Sequence, residues 1–247
     1  MTQAQEEAQL CGLVPEENDA RFFSQHLAAY AFTRQFVHGK RVLEIGFGQG
    51  YGSNYLAETA KEVVGIDSAS GNISRAQLRY LRHNLRFLHM NGQKLDFPDE
   101  SFDVIGSFQV IEHIPEPELP NYLTQIRRVL RSDGVCVIST LNLEHNQKPG
   151  QAYQKLCFHE KEFTGPQLQE LLGRFFPSVK MHGLYLSFPH RICQRLKKWG
   201  LMKWGPRRLN PIARFYDHMG VEAFQTQERI SSEALDLFAL CRKHPAR

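Results

Sequence analysis

Residues 42–52 read Val42-Leu-Glu-Ile-Gly-Phe-Gly-Gln-Gly-Tyr-Gly52, and the fold turns on this stretch. From Arg41 to Gly46 it is a short β-rich run that ends in glycine. From Tyr51 to about Thr59 it reads as a helix. Glycines at such a junction let the backbone turn sharply and let a ligand approach with no Cβ in the way. The helix start behind them presents unpaired N–H groups. Gly46, Gly48 and Gly50 are spaced Gly-x-Gly-x-Gly, with Glu44 two residues before the first. A dinucleotide fingerprint would want glycine at position 51, which is Tyr.

Working outward, short apolar runs alternate with helical ones. Glu62 to Asp67 is a second strand, and Gly71 to His83 a helix with Ser70 as its cap. Arg86 to Met90 and Phe102 to Phe108 are further strands. Pro117 to Leu130 is a helix with Arg127, Arg128 and Arg131 near its C-terminal end. Asp133-Gly134 turns into a fifth strand, Val135 to Thr140. Before the glycine run, Asp19 to Val37 is a helix with Phe22, His26 and Tyr30 on one face. Thr164-Gly-Pro-Gln167 resembles a capping box ahead of a helix to about Phe175. Val179 to Ser187 and Leu235 to Arg242 supply two last strands. Alternation of this kind means βαβ units and a doubly wound, mostly parallel sheet.

The 247 residues, 42% of them hydrophobic, suffice for one α/β domain with an elaboration. No apolar run reaches the length of a membrane span. The N-terminal residues lack the basic-then-apolar pattern of a signal peptide, so a cytoplasmic protein is expected. The five cysteines are scattered and form no Cys-x-x-Cys pair; they read as free thiols, and no metal site is expected. Charge is uneven. Leu186 to Arg247 holds 12 Lys/Arg against five Asp/Glu, and Arg191 to Arg214 holds eight basic residues and no acidic one.

The run Glu44 to Gly50 resembles the first motif of the class I S-adenosylmethionine (SAM)-dependent methyltransferases, acidic-x-Gly-x-Gly-x-Gly. The resemblance continues through Asp67 at the end of the second strand, Leu95 to Asp103, and Phe108-Gln-Val-Ile-Glu-His-Ile114. It covers Val42 to Leu141. Outside that core, His26-x-x-x-Tyr30, Gly50-Tyr-Gly-Ser53 and Phe158-His159-x-x-Glu-Phe163 are similar to bacterial methyltransferases associated with cell-surface glycan pathways. The chain departs from the family at Asn91-Gly92, where Asp-Ala is usual, and at Leu141, where Pro is common.

The resemblance implies a Rossmann-like doubly wound sheet, mostly parallel, of seven strands with the last antiparallel. One domain is expected over 1–247, with its core at about 19–187 and 233–243 and a basic insert at about 188–232. SAM is the implied cofactor. Gly46, Phe47, Gly48 and Gly50 then approach its amino-acid tail, with Glu44 as the acid of the motif. Asp67 takes the ribose hydroxyls through charge-assisted hydrogen bonds. Ser68, Asn91, Gly92 and Gln93 border the adenine, and Phe108 and Gln109 close the cofactor site.

Methyl transfer is an in-line displacement on an activated methyl, so the protein mainly aligns the reactants and excludes water. An oxygen acceptor also gains from a base. His113, just past the fourth strand's C-terminal edge, is the expected base. His26, Tyr30, Tyr153 and His159 are expected around the acceptor. The expected acceptor is a small molecule, through an oxygen of a sugar or a lipid-linked glycan. The alternatives are an RNA or protein methyltransferase, a nicotinamide-dependent oxidoreductase, or a non-catalytic SAM-binding protein. Trp199 and Trp204 among the basic residues suit contact with an anionic membrane at its inner face. Gly200, Gly205 and Pro206 limit the insert to a short helix ending near Trp199 and then a loop. Nucleic acid is not favoured as a partner, because no RNA-binding module signature is present.

Overall fold

A computed structural model describes residues 20–147, 159–199, 215 and 219–244. Helix α1 (Ala20–Arg34) leads into β1 (Arg41–Ile45), α2 (Tyr51–Ala57), β2 (Glu62–Asp67), α3 (Ser70–Arg79) and β3 (Leu85–His89). Strand β4 (Phe102–Phe108), α4 (Leu119–Val129) and β5 (Leu130–Leu141) follow. The rest comprises α5 (Leu143–Asn146), α6 (Gly165–Gly173), β6 (Ser178–Leu186), α7 (Phe188–Lys198), β7 (Phe224–Gln227) and β8 (Asp236–Arg242). The strands form one sheet in the order β3-β2-β1-β4-β5-β8-β6-β7.

Strands β1 to β5 pair in parallel, and β8 runs antiparallel between β5 and β6. Strands β1, β2 and β4 are apolar almost throughout because helices cover both sheet faces. Successive side chains point to opposite faces, so Val42 and Leu43 enter different core layers. On one side Phe47, Leu56 and Phe87 pack among α1, α2 and α3. On the other, α4 buries Leu119, Tyr122, Leu123, Ile126 and Val129 at helical spacing. Both halves of the Thr164–Gln167 capping box are present at the start of α6.

Three local expectations are corrected. The sheet has eight strands, not seven. The extra one, β7, lies inside the 188–232 stretch and pairs with the edge strand β6. Its Phe-Gln-Thr-Gln sequence is short and mostly polar, which suits a strand at the sheet edge and hides it from a search for apolar runs. Ser70 does not cap α3; Ala69 holds that position and its N–H donates to Asp67 instead. No separate turn precedes β5. The strand runs from Leu130 with a register shift between the pairs at Phe102 and Val104. Three buried cysteines, Cys136, Cys193 and Cys241, are free thiols, in keeping with the scattered spacing. Among the described residues no helix is long and apolar enough to cross a membrane.

Candidate functional site

The three glycines of the loop after β1 all have left-handed backbones, with φ of 76°, 56° and 80° at Gly46, Gly48 and Gly50. A Cβ on Gly46 would lie 2.6 Å from Val110, so the loop sits tightly against the exit of β4. Asp67, at the end of β2, fixes the loop's far side. Its Oδ2 accepts from the Gly48 N–H at 2.9 Å and its Oδ1 from the Ala69 N–H at 2.8 Å. A carboxylate offers about four acceptor positions, so two remain for a ligand.

Beneath the loop, Glu44 is fully buried. The Tyr30 hydroxyl donates to its Oε1 at 2.6 Å, and the Ser53 hydroxyl donates to its Oε2. Burial pushes the Glu44 carboxyl up to about 7, with the two hydroxyl donors pulling the other way. Glu44 thus braces the loop through α1 and α2 and stays out of the cavity lining. Phe47 is buried with its ring 4.6 Å from that of Phe87.

A cavity of about 230 Å³ opens beside the loop at the C-terminal edge of the parallel strands. Helix α1 contributes Phe22, Gln25, His26 and Tyr30. The loop contributes Gly46 to Gln49 and Tyr51; the exit of β4 contributes Phe108, Gln109, Glu112 and His113. Leu141, His159 and Asp236 complete the wall. The ring of Phe108 lies 4.5 Å from that of Tyr30. Gln109 has a φ of 54°, which a side chain rarely tolerates; such strain collects where a ligand must be met.

The polar groups of this wall are mostly desolvated. His26 Nδ1 shares a hydrogen bond with the Tyr51 hydroxyl, and burial pushes the imidazole down to about 4, so it is neutral at pH 7. Asp236 accepts from Gln25 Nε2 at 3.1 Å, and burial pushes its carboxyl up to about 7. Burial also pushes Glu112 up to about 8. The Glu112 N–H and the Thr140 hydroxyl oppose that rise, although neither meets full hydrogen-bond geometry with the carboxyl. The amide nitrogen of Gln49 is buried without a partner. The rings of His113 and His159 meet edge to face at 4.9 Å, and His159 Nδ1 lies 2.7 Å from Glu162 Oε1.

Ser68, Asn91, Gly92 and Gln93 lie after β2 and β3, outside the cavity lining. The Met90 N–H donates to the Asp67 carbonyl at 3.0 Å, which draws their turn toward Asp67. Asn91 Oδ1 accepts from the Gln93 N–H at 2.9 Å. A Cβ at Gly92 would lie 2.8 Å from Tyr122 and 2.9 Å from Ile45, which accounts for glycine where alanine is usual.

The structure therefore gathers His26, Tyr30, Phe108, Gln109, His113 and His159 around one cavity beside the glycine loop. Tyr153 lies outside the described residues. Sequence reading missed Gln25, Gln49, Glu112 and Asp236. A signal existed for two of them. Glu112 adjoins His113, and Asp236 is an acid in an otherwise apolar strand.

Residues 43–138 match the model of a methyltransferase domain. The similarity is to SAM-dependent methyltransferases, over that segment and its surroundings. A probable S-adenosylmethionine-dependent methyltransferase of Mycolicibacterium smegmatis is 36% identical over 64% of this chain and 58% of its own length. A ubiquinone biosynthesis O-methyltransferase of Ruegeria sp. is 35% identical over 42% of each chain. The first of these shows that the match spans less than two thirds of the relative's length. A solved SAM-dependent methyltransferase from Thermotoga maritima shares the fold, with a TM-score of 0.59 at 18% identity over 91% of this chain and 93% of that one. The matched segment spans β1 to β5, the strands that carry the glycine loop, Asp67 and the exit of β4.

Proposed function

We propose that the protein transfers a methyl group from SAM to an oxygen of a small molecule, such as a sugar or a lipid-linked glycan. The observation that carries this reading is the continuity of one cavity, from the glycine loop at Gly46 and Gly48 to the polar wall at Glu112, His113 and His159. The residues present fit the cofactor. Gln49 offers a buried, unpartnered donor beside the loop, suited to the carboxylate of an amino-acid tail. Asp67 keeps acceptor capacity for two ribose hydroxyls, and Ser68 and Asn91 to Gln93 border the adenine. SAM supplies an electrophilic methyl group on a sulfonium.

The chain's own residues then bind, orient and exclude water. Aromatic rings at Phe22, Tyr30, Tyr51 and Phe108 wall the cavity. His113 holds the position of a base toward the acceptor hydroxyl. The O-methyltransferase among the relatives supports an oxygen acceptor. Calorimetry with SAM, S-adenosylhomocysteine and NAD tests the cofactor. Binding of the first two without NAD is expected, and NAD binding without SAM would overturn the reading. A methylation screen across sugars, lipid-linked glycans, quinols and RNA then identifies the acceptor.

A second reading concerns where the acceptor is met. On α7 and its last turn, Phe188, Ile192 and Trp199 are exposed, the first at 66% and the last at 76%. At 3.6 residues per turn they fall within about 40° of one another. Arg195 is exposed on the same face. An apolar stripe with basic flanks suits the surface of an anionic membrane, where a lipid-linked acceptor would be presented.

A further inference from the structure

Glu112, His113 and His159 each present a ligand-capable atom, and all three atoms lie within 4.8 Å of one another. Glu112 and His113 sit on the short 3-10 turn Ile111–His113 that follows β4. His159 arrives from a distant part of the chain, and its position is pinned. The N–H groups of Glu160 and Lys161 donate to the Glu112 carbonyl at 2.7 and 3.1 Å.

Two further observations point to a cation. The Glu112 carboxyl is fully buried in the cavity wall, and neither of its oxygens has a hydrogen-bond partner. An unpartnered buried carboxyl is costly, and coordination to a cation is one of the few arrangements that relieves it. The second is the orientation of His159. Its Nδ1 is engaged by the buried Glu162 at 2.7 Å, the carboxylate–imidazole pairing that sets ring orientation in metal sites.

We propose that Glu112, His113 and His159 form a binding site for a divalent first-row transition metal, with Glu162 as the positioning residue for His159. Two imidazoles and one carboxylate suit manganese, iron, cobalt or zinc better than calcium or magnesium, which prefer oxygen ligands throughout. Three protein ligands leave coordination positions open. They face the cavity, so with a metal bound His113 acts as its ligand rather than as a free base, and an oxygen donor of the acceptor is the natural further ligand. That last clause rests on the methyl-transfer reading; the metal site does not. Nothing in the sequence spacing announces it, because the ligands are split between a turn after β4 and a segment just before α6.

The test uses the full chain, freed of any affinity tag and stripped with a chelator. Zinc chloride is titrated by calorimetry, and cobalt chloride is followed by its visible absorption, which reports nitrogen and oxygen ligation directly. One equivalent is expected to bind at micromolar concentration or tighter. Glu112→Gln and His159→Ala should each weaken binding at least tenfold, and Glu162→Gln by roughly 10–100-fold. Circular dichroism checks folding. Should Glu112→Gln fail to fold, His113→Ala, at an exposed position, carries the comparison. SAM titration of the same samples separates the two readings. SAM binding with no zinc or cobalt binding would overturn the metal site and leave the methyltransferase reading standing. Metal binding with no SAM binding would do the reverse. Metal binding of equal strength in wild type and every variant would place the metal elsewhere and overturn the assignment.

Discussion

The Tyr30 hydroxyl donates to Glu44 Oε1 across 2.6 Å, joining α1 to β1 beneath the glycine loop. Burial of that carboxyl, which the bond only partly offsets, makes the stability of the loop's floor depend on pH. Glu44 has a folded pKa of about 7 against an ordinary value of 4.5. Between those limits the folded state holds a proton that the unfolded chain has released. The stability linked to this group is complete below pH 4.5 and is lost as pH rises through 7. The loss is bounded at about 3 kcal/mol. Urea unfolding of wild type and Glu44→Gln at about pH 5 and pH 7.5 measures it. Wild type should lose stability relative to the variant over that interval. Equal slopes would mean that Glu44 stays charged on its two hydroxyl donors.

Asp67 meets the loop and the expected ribose site with one carboxylate. Asp67→Ala should weaken SAM binding by about 1.5–3 kcal/mol, the loss of hydrogen bonds to a charged group. The variant also leaves the Gly48 and Ala69 N–H groups without their acceptor, so a small loss of thermal stability should accompany it. Calorimetry and a thermal melt on the same preparation read both. Wild-type SAM affinity would place the ribose elsewhere.

Asn91 tests the adenine side. Its side-chain oxygen accepts from the Gln93 N–H, a bond that an aspartate oxygen makes equally well. Asn91→Asp should therefore keep the turn and leave SAM affinity unchanged or tighter. A loss beyond about tenfold, or 1.4 kcal/mol, would show that the amide nitrogen of Asn91 makes a contact that an acid cannot.

What the sequence made legible follows from how local each signal is. The glycine loop, Asp67 and the parallel strands are written in runs of a few residues, and each lies where its motif places it. Thr164 and Gln167 form their capping box for the same reason: its parts are three residues apart. The floor of the loop was not legible. That Tyr30 would spend its hydroxyl on Glu44 depends on how α1 crosses β1, which no spacing records. Asp236 is similar, since it reaches the cavity only because β8 runs antiparallel and opens its first residue opposite Leu141. Edge strand β7 escaped because pairing partners, not apolar content, make it a strand.

His113 and His159 meet edge to face on the cavity wall, and their roles separate kinetically. His113→Ala should lower turnover by roughly 10²–10⁴-fold with little change in SAM affinity, the cost of losing a group that assists proton removal. Glu162→Gln should lower turnover less, because the imidazole of His159 remains but loses the carboxylate that orients it. Stopped assays on the true acceptor, with SAM affinity measured separately, provide the comparison. Unchanged turnover in His113→Ala would reassign that ring to support of His159.

The exposed stripe on α7 offers the last prediction. Trp199 and Trp204 are five residues apart, about 140° on an ideal helix, which is too wide for a single apolar face. Trp204 lies outside the described residues, but Phe188 and Ile192 supply the face with Trp199. The opposite side of the helix is anchored, since Cys193 and His190 are buried and the His190 ring stacks on Phe215 at 4.6 Å. The Ser187 hydroxyl shares a hydrogen bond with His190 Nδ1 at 2.7 Å. The helix is thus held by one side and offers the other. Burying three large apolar side chains in an interface is worth several kcal/mol before the costs of association, which is enough for reversible docking when basic residues add their attraction. Phe188→Ser combined with Trp199→Ser should abolish co-sedimentation with vesicles of anionic lipid and leave SAM affinity intact. Charge reversal at Lys197, Lys198, Arg207 and Arg208 should weaken the same binding and make it insensitive to salt. Wild-type protein that stays in the supernatant with anionic vesicles would remove the membrane role. Wild-type binding that survives both variants would move the contact to another surface.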